Sequence, residues 1–282
     1  MATRIIAVAN QKGGVGKTTT VINLSACLGE SGKRVLVIDL DPQANTTSGL
    51  GLPRQTGTSL YRVLLRERSV HGLIQDTVAP NVQIIPSELD LAGAEIDVAR
   101  MDGYLHGLNM AIAPVVRNGG FDFILIDCPP SLGVLTMNAL TAAHSLLLPI
   151  QCEYYALEGL SVIAHIIQQL REGRANATID IQGIVMTMYD ARTRLSPDVV
   201  AEVKLHFGEK VYKTVIPRNI RLSEAPSFGK PVIQYDPHCT GSTAYRELAK
   251  EVIERENARV VSESIPSGSP AAERITGVSH VS

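Results

Sequence analysis

The sequence predicts one large α/β domain, or at most two small ones, built on buried parallel strands. Three observations carry that prediction. Short, almost continuously aliphatic runs recur along the chain, among them Ile5-Ile6-Ala7-Val8-Ala9, Val35-Leu36-Val37-Ile38 and Phe123-Ile124-Leu125-Ile126. Runs of that kind suit strands covered on both faces. Segments whose apolar positions recur at helical spacing lie between them. The first run passes directly into Asn10-Gln11-Lys12-Gly13-Gly14-Val15-Gly16-Lys17-Thr18-Thr19-Thr20, a glycine-rich loop that opens a helix.

Strand, glycine-rich loop, Gly-Lys-Thr and helix together form the context of a phosphate-binding P-loop. Gly13, Gly14 and Gly16 let backbone N–H groups curl around a polyphosphate where a Cβ would block the approach, and Val15 and Thr19 belong to the same cradle. The helix N-terminus adds partial positive charge and unpaired donors. Lys17 is placed to reach the β- and γ-phosphates, and the Thr18 hydroxyl to ligate Mg²⁺. The pattern departs from the general motif in one respect: Gln11 stands where the first glycine is expected, and a second lysine, Lys12, precedes the glycine pair. Read without further context, the stretch could be a glycine-rich turn with Lys12 merely solvated.

Composition narrows the remaining classes. The 282 residues carry a formal net charge of -2, so any nucleic-acid contact must come from a local patch. With no Trp and 4% aromatic residues, the core is predicted to be mostly aliphatic. Cys27, Cys128, Cys152 and Cys239 are widely spaced without a C-x-x-C pair, which favours reduced structural thiols. No signal peptide precedes the first strand and no apolar run approaches a spanning length, so a cytoplasmic location is expected.

Taken in order, the first helix is predicted over Lys17–Glu30, ended by Gly32, and the second strand over residues 34–39. Asp39 and Asp41 stand at the end of that strand. Ligands of open parallel sheets bind beyond the carboxyl ends of strands, so both carboxylates face the P-loop side; turn or capping chemistry is the alternative. Residues 46–58, rich in Gly, Thr and Ser, read as a mobile loop. A short helix over 60–65, a strand over 82–86 and a helix over about 103–117 follow.

The run over 121–127 ends in Asp127, a Walker B candidate able to hold a Mg²⁺-bound water beside the P-loop. Cys128-Pro129-Pro130-Ser131 then forms a rigid turn. A strand over 145–150 leads to a helix from Glu153 to about Leu170, with Leu160, Ile163 and Ile167 on one face. Strands follow over 181–188 and 211–216, and a closing helix over about 243–261. Between residues 190 and 230, eight Lys and Arg stand against five Asp and Glu, an excess that composition alone assigns to solvated surface. From residue 262 the chain turns to Ser, Pro, Gly and Ala, which predicts a disordered tail over 262–282.

Several of these stretches resemble the ParA/Soj family, within the MinD/ParA group that carries a deviant Walker A motif. They are K-G-G-V-G-K-T-T around Lys12, D-x-D-P-Q-x-N from Asp39, and P-S-x-x-D-L-A-G-A-E from Pro86. The resemblance spans residues 4 to 258. The start of the P-loop near the N-terminus leaves no room for a helix-turn-helix extension, so the likeness is to the short Soj-like form.

The resemblance implies a mostly parallel twisted sheet with helices on both faces and an ATP- and Mg²⁺-dependent ATPase. Lys12 would reach the nucleotide of a second subunit in a homodimer. Asp41 would position the attacking water, Asp39 would be a partner of the Mg²⁺ shell, and Pro217 and Asn219 would lie near the adenine. Arg192, Arg218, Arg221 and Lys230 would bind double-stranded DNA without sequence preference, giving a nucleoid-associated protein released by a ParB-like centromere-binding partner.

Two other classes share this P-loop or this fold. A MinD-like ATPase ends in a basic amphipathic helix on a membrane, whereas residues 262–282 carry one Arg, two prolines and no aromatic residue, so no membrane contact is expected. An iron–sulfur or metallocluster-handling ATPase would use Cys128 with a second upstream cysteine, and none stands between Cys27 and Cys128.

Overall fold

The computed structural model describes residues 2–154 and 156–264. The strands are β1 Arg4–Val8, β2 Val35–Asp39, β3 Gln75–Asp76, β4 Val82–Ile85, β5 Phe123–Asp127, β6 Ser145–Gln151, β7 Asp180–Tyr189 and β8 Val211–Pro217. The helices are α1 Lys17–Glu30, α2 Asn45–Gly49, α3 Tyr61–Leu64, α4 Ala94–Asp97, α5 Gly107–Arg117, α6 Val134–Ala142, α7 Ala156–Glu172, α8 Leu195–Phe207, α9 Ile220–Glu224, α10 Val232–Tyr235 and α11 Thr240–Ser264. Among the described residues, eight strands join one sheet in the order β3-β4-β2-β5-β1-β6-β7-β8. Only the two-residue β3 runs antiparallel to its neighbour.

Successive side chains of a strand point to opposite faces, and here that alternation separates two cores. Ile5 and Ala7 of β1, Leu36 and Ile38 of β2, and Ile124 and Ile126 of β5 pack on one face with residues of α3, α5, α6, α7 and α8. Ile6 and Val8, Val35 and Val37, and Phe123 and Leu125 pack on the other with α1, α9, α10 and α11. Both faces of the central strands are thereby dry, which is why they read as unbroken aliphatic runs.

Register then sets the site. β5 lies between β2 and β1, with Asp39 opposite Asp127 and Val8 opposite Asp127. The chain leaves β1 at Val8, so the glycine-rich loop starts beside both carboxylates.

Several expectations need correction. Residues 46–58 are not loop throughout: the chain turns into α2 at Asn45, and Thr46 and Thr47 are buried. Glu153 precedes α7 instead of opening it. Helices α6 and α8 are additional to the predicted set. α11 begins at Thr240 and continues to Ser264, past the expected boundary at 261; the remainder of the predicted tail, 265–282, lies outside the described residues. Among the described residues no helix is long and apolar enough to cross a membrane.

Candidate nucleotide site

The loop between β1 and α1 is shaped by two glycines in the left-handed region, Gly14 at φ +74° and Gly16 at φ +89°, where a side chain would strain the backbone. Side chains from neighbouring strands hold it. The Thr187 hydroxyl donates to the Val15 carbonyl at 2.9 Å and the Gln151 amide donates to the Gly14 carbonyl at 3.2 Å. Asn10 is buried, donating to Pro149 O at 2.8 Å and accepting from Lys12 N–H at 3.0 Å.

The two lysines are placed differently. Lys17 is buried, its Nζ donating to the Lys12 carbonyl at 3.2 Å. Desolvation lowers its pKa, opposed by the negative fields of Asp127 and Asp41. Lys12 is about half exposed and its Nζ lies 2.7 Å from Glu153 Oε2.

Three carboxylates complete the site. Asp127 Oδ2 accepts from the Thr18 hydroxyl at 2.9 Å and from the Thr46 hydroxyl at 2.6 Å. Its Oδ1 is buried and has no hydrogen-bond partner among the described residues. Asp39 is fully buried: Oδ1 accepts from Asp41 N–H at 3.2 Å, and Oδ2 from Thr47 N–H at 2.9 Å and the Thr47 hydroxyl at 2.7 Å. Burial raises both pKa values, and the mutual proximity of Asp39 and Asp127 adds to the effect at Asp39. Asp41 is nearly buried and its Oδ1 accepts from Gln43 N–H at 2.9 Å, so it forms a local turn as well as facing the site.

These residues fit a magnesium nucleotide. An acceptor oxygen left without a donor in a buried site costs on the order of 1–3 kcal/mol, and a Mg²⁺-bound water would supply the donor that Asp127 Oδ1 lacks. Among the described residues no three His, Cys, Asp or Glu side chains cluster to hold a metal by themselves.

A cavity of about 590 Å³ extends from Gly16, Thr18 and Thr19 towards Pro217 and Asn219 on the loop after β8, within the usual range for a cofactor site. Pro217 and Asn219 thus share one cavity with the end of the P-loop. The Asn219 side chain is committed within the protein, accepting from Arg221 N–H at 2.8 Å and donating to Thr240 Oγ1 at the start of α11 at 2.7 Å.

The four basic candidates are not equivalent. Arg218 lines the nucleotide cavity. Arg192 is bound by both oxygens of Asp190, at 2.9 and 2.7 Å. Arg221 is paired with Glu224 at 2.8 Å and Asp236 at 3.3 Å. Lys230 is exposed.

Sequence reasoning passed over Thr46, Thr47, Arg54, Gln151, Glu153 and Thr187. Only the threonine pair left a signal, two adjacent hydroxyl residues just beyond Asp-Pro at the end of a strand. The others depend on strands or turns distant in sequence.

Known proteins share this arrangement. A family model described as an AAA domain matches residues 3–181. The chromosome partitioning protein ParA of Caulobacter vibrioides is 51% identical over 257 residues, covering 91% of this chain and 96% of the relative. The sporulation initiation inhibitor protein Soj of Bacillus subtilis is 51% identical over 250 residues, 88% of this chain and 98% of the relative. Among solved structures, cobyrinic acid a,c-diamide synthase of Mycobacterium smegmatis with bound ADP and magnesium superposes with TM-score 0.78 at 37% identity, covering 90% of this chain and 96% of that one. The septum site-determining protein MinD of Pyrococcus horikoshii, complexed with Mg-ADP, gives TM-score 0.73 at 30% identity, covering 89% and 96%. From the P-loop, the carboxylates at the ends of β2 and β5, and identity sustained over nine-tenths of its length, the chain belongs to the ParA/Soj family of chromosome-partitioning P-loop ATPases.

Proposed function

We propose that the chain is an ATP-driven switch of DNA segregation that dimerises on binding nucleotide. The observation that carries the reading is the buried Asp127 carboxylate, shared by the hydroxyls of Thr18 and Thr46 and left with one oxygen free beside Lys17. ATP and Mg²⁺ are its cofactors; when bound, the cation neutralises phosphate charge as the terminal bond breaks. The backbone N–H groups from Gly13 to Thr19 and the Lys17 ammonium hold the phosphates. Thr18 and Asp127 hold the metal and its water, with Asp39 behind them fixing Thr47 and the start of Asp41. Asp41 orients the attacking water. Pro217 and Asn219 bound the base end of the cavity.

Lys12 sits half exposed at the rim of the P-loop, where a second copy could receive it. In the closed homodimer each Lys12 leaves its own Glu153 and reaches the phosphates of the facing subunit. Gly14 faces the same open rim, where a Cβ would meet no atom of the described residues beyond its chain neighbours within 4 Å, so a side chain would project towards the partner. The dimer presents Arg192, Arg218, Arg221 and Lys230 to the phosphate backbone of double-stranded DNA, a sequence-independent contact. A ParB-like protein stimulates hydrolysis, which separates the subunits and releases them from the nucleoid of the cytoplasm.

The test is binding to a random-sequence duplex at low and moderate salt with ATP, with ADP and without nucleotide. Binding confined to ATP and weakening steeply with salt is expected. Equal binding in all three states would overturn the switch, and binding in none would remove DNA as the ligand.

A further inference from the structure

We propose that Arg54 is a phosphate-binding residue of the nucleotide site, carried over the cavity by the turn that follows α2. The proposal rests on the nucleotide reading above and adds a residue that neither loop nor carboxylate motif contains.

Arg54 lines the same cavity as Gly16, Thr18 and Thr19. Its guanidinium is held on α2: Nε donates to Ser48 Oγ at 3.3 Å and Nη2 donates to Asn45 Oδ1 at 3.2 Å. Both partners are neutral, and no carboxylate pairs with Arg54 among the described residues. An arginine carries five N–H donors in a planar fork. Two are used here, which leaves three donors and a full positive charge on a side chain that shares its cavity with Gly16, Thr18 and Thr19 of the phosphate loop. Arg192, Arg221 and Arg246, by contrast, each have a carboxylate partner.

The backbone puts the guanidinium there for reasons that have little to do with Arg54 itself. α2 lies directly on α1, because a Cβ on Gly49 would come within 2.3 Å of Ile22 Cδ1. After α2 the chain reverses at Gly51, whose φ of +88° and contact with Val78, 2.3 Å from a would-be Cβ, admit only glycine. The reversal returns residue 54 to α2, where its side chain meets Asn45 and Ser48. The same helix carries Thr46 and Thr47, which hold Asp127 and Asp39. A phosphate drawn to Arg54 therefore grips the element that fixes the two buried carboxylates.

The experiment measures ATP and ADP affinity by titration calorimetry for the wild type and for R54A, R54Q and R54K, alongside the thermal midpoint of each nucleotide-free protein. A charge-assisted contact of this kind should be worth about tenfold in affinity. R54A and R54Q are expected to lose that factor for both nucleotides, R54K to recover part of it, and all midpoints to stay within about two degrees of the wild type, as for surface changes generally. Wild-type affinity in R54Q would show that the charge is not used and would overturn the proposal. Midpoints that fall in step with affinity would make Arg54 a brace for α2 and overturn it equally. A wild type that binds no ATP would instead sink the nucleotide reading on which it rests.

Discussion

The Thr46 hydroxyl donates to Asp127 Oδ2 at 2.6 Å, tying the helix after β2 to the last residue of β5. Asp127 is the carboxylate proposed to hold the metal and Asp41 the one proposed to position water; Thr46 lies five residues beyond Asp41, so a single hydrogen bond links the two segments. Thr46→Val keeps the shape and removes the donor. The variant should lose about 1.5–3 kcal/mol of stability in urea unfolding, the worth of one hydrogen bond to a charged group, with Oδ2 left the Thr18 donor alone. Its Mg²⁺ requirement for ATP turnover should rise, with Thr46→Ser restoring both. Unchanged unfolding and an unchanged magnesium titration would deny the link.

Lys12 and Glu153 form an ion pair whose side chains are 45% and 46% exposed. A pair so open to water contributes less than about 1 kcal/mol to folding, so Glu153→Gln should leave stability unaltered. The same change removes the charge that holds Lys12 in the single chain and leaves only a neutral acceptor. ATP-dependent self-association, followed by sedimentation velocity, is expected at lower protein concentration than in the wild type. Weaker association in the variant would count against the release of Lys12 as a step in closing the dimer.

His144 opens the turn into β6 with one edge exposed, while its Nδ1 is enclosed and accepts from Ile5 N–H at 3.1 Å. Burial, then the positive fields of Arg4 and Arg259, lower its pKa below 6.5, with Glu256 opposing; Arg255 and Asp180 line the same hollow. Above pH 6.5 the imidazole is neutral in folded and unfolded chains alike, and its contribution is fully present. As pH falls below 6.5 the unfolded chain takes up a proton that the folded one resists, so stability drops until the folded pKa is passed. Asp39 and Asp127, raised by burial, titrate with the opposite sign, so the comparison must be made against His144→Asn, which keeps an acceptor for Ile5. The wild type should lose more stability than the variant between pH 7.5 and 5.5 in urea unfolding. Parallel losses would exclude His144 as the cause.

Gly183 lies in β7 where an added Cβ would meet the Tyr212 ring at 2.1 Å. That ring is fully buried, with Arg255 over its face at 3.9 Å, and cannot swing aside without disturbing α11. Gly183→Ala should destabilise by about 1–3 kcal/mol through overpacking, read as a lower urea midpoint with nucleotide affinity unaltered in the folded protein. A stability equal to wild type would mean that β7 and β8 separate more easily than their packing indicates.

The residue order makes legible the central strands, the phosphate loop and the carboxylates at the ends of β2 and β5. These are local signals: an aliphatic run long enough for a strand covered on both faces, glycines where backbone must approach an anion, and an acid at the end of each run. It did not reveal α6, whose residues are buried around most of the helix and so show no amphipathic stripe, nor α8, which buries only Ser196, Val199 and Val203. The tertiary structure alone decided that Thr46 and Thr47 brace the two buried aspartates, that Glu153 holds Lys12, that Thr187 supports the loop at Val15, and that Arg54 overlooks the cavity. Each of those pairs joins residues on different elements or across a chain reversal. Strand register and the turn at Gly51 set their separation, and neither leaves a periodic mark in the residues it brings together.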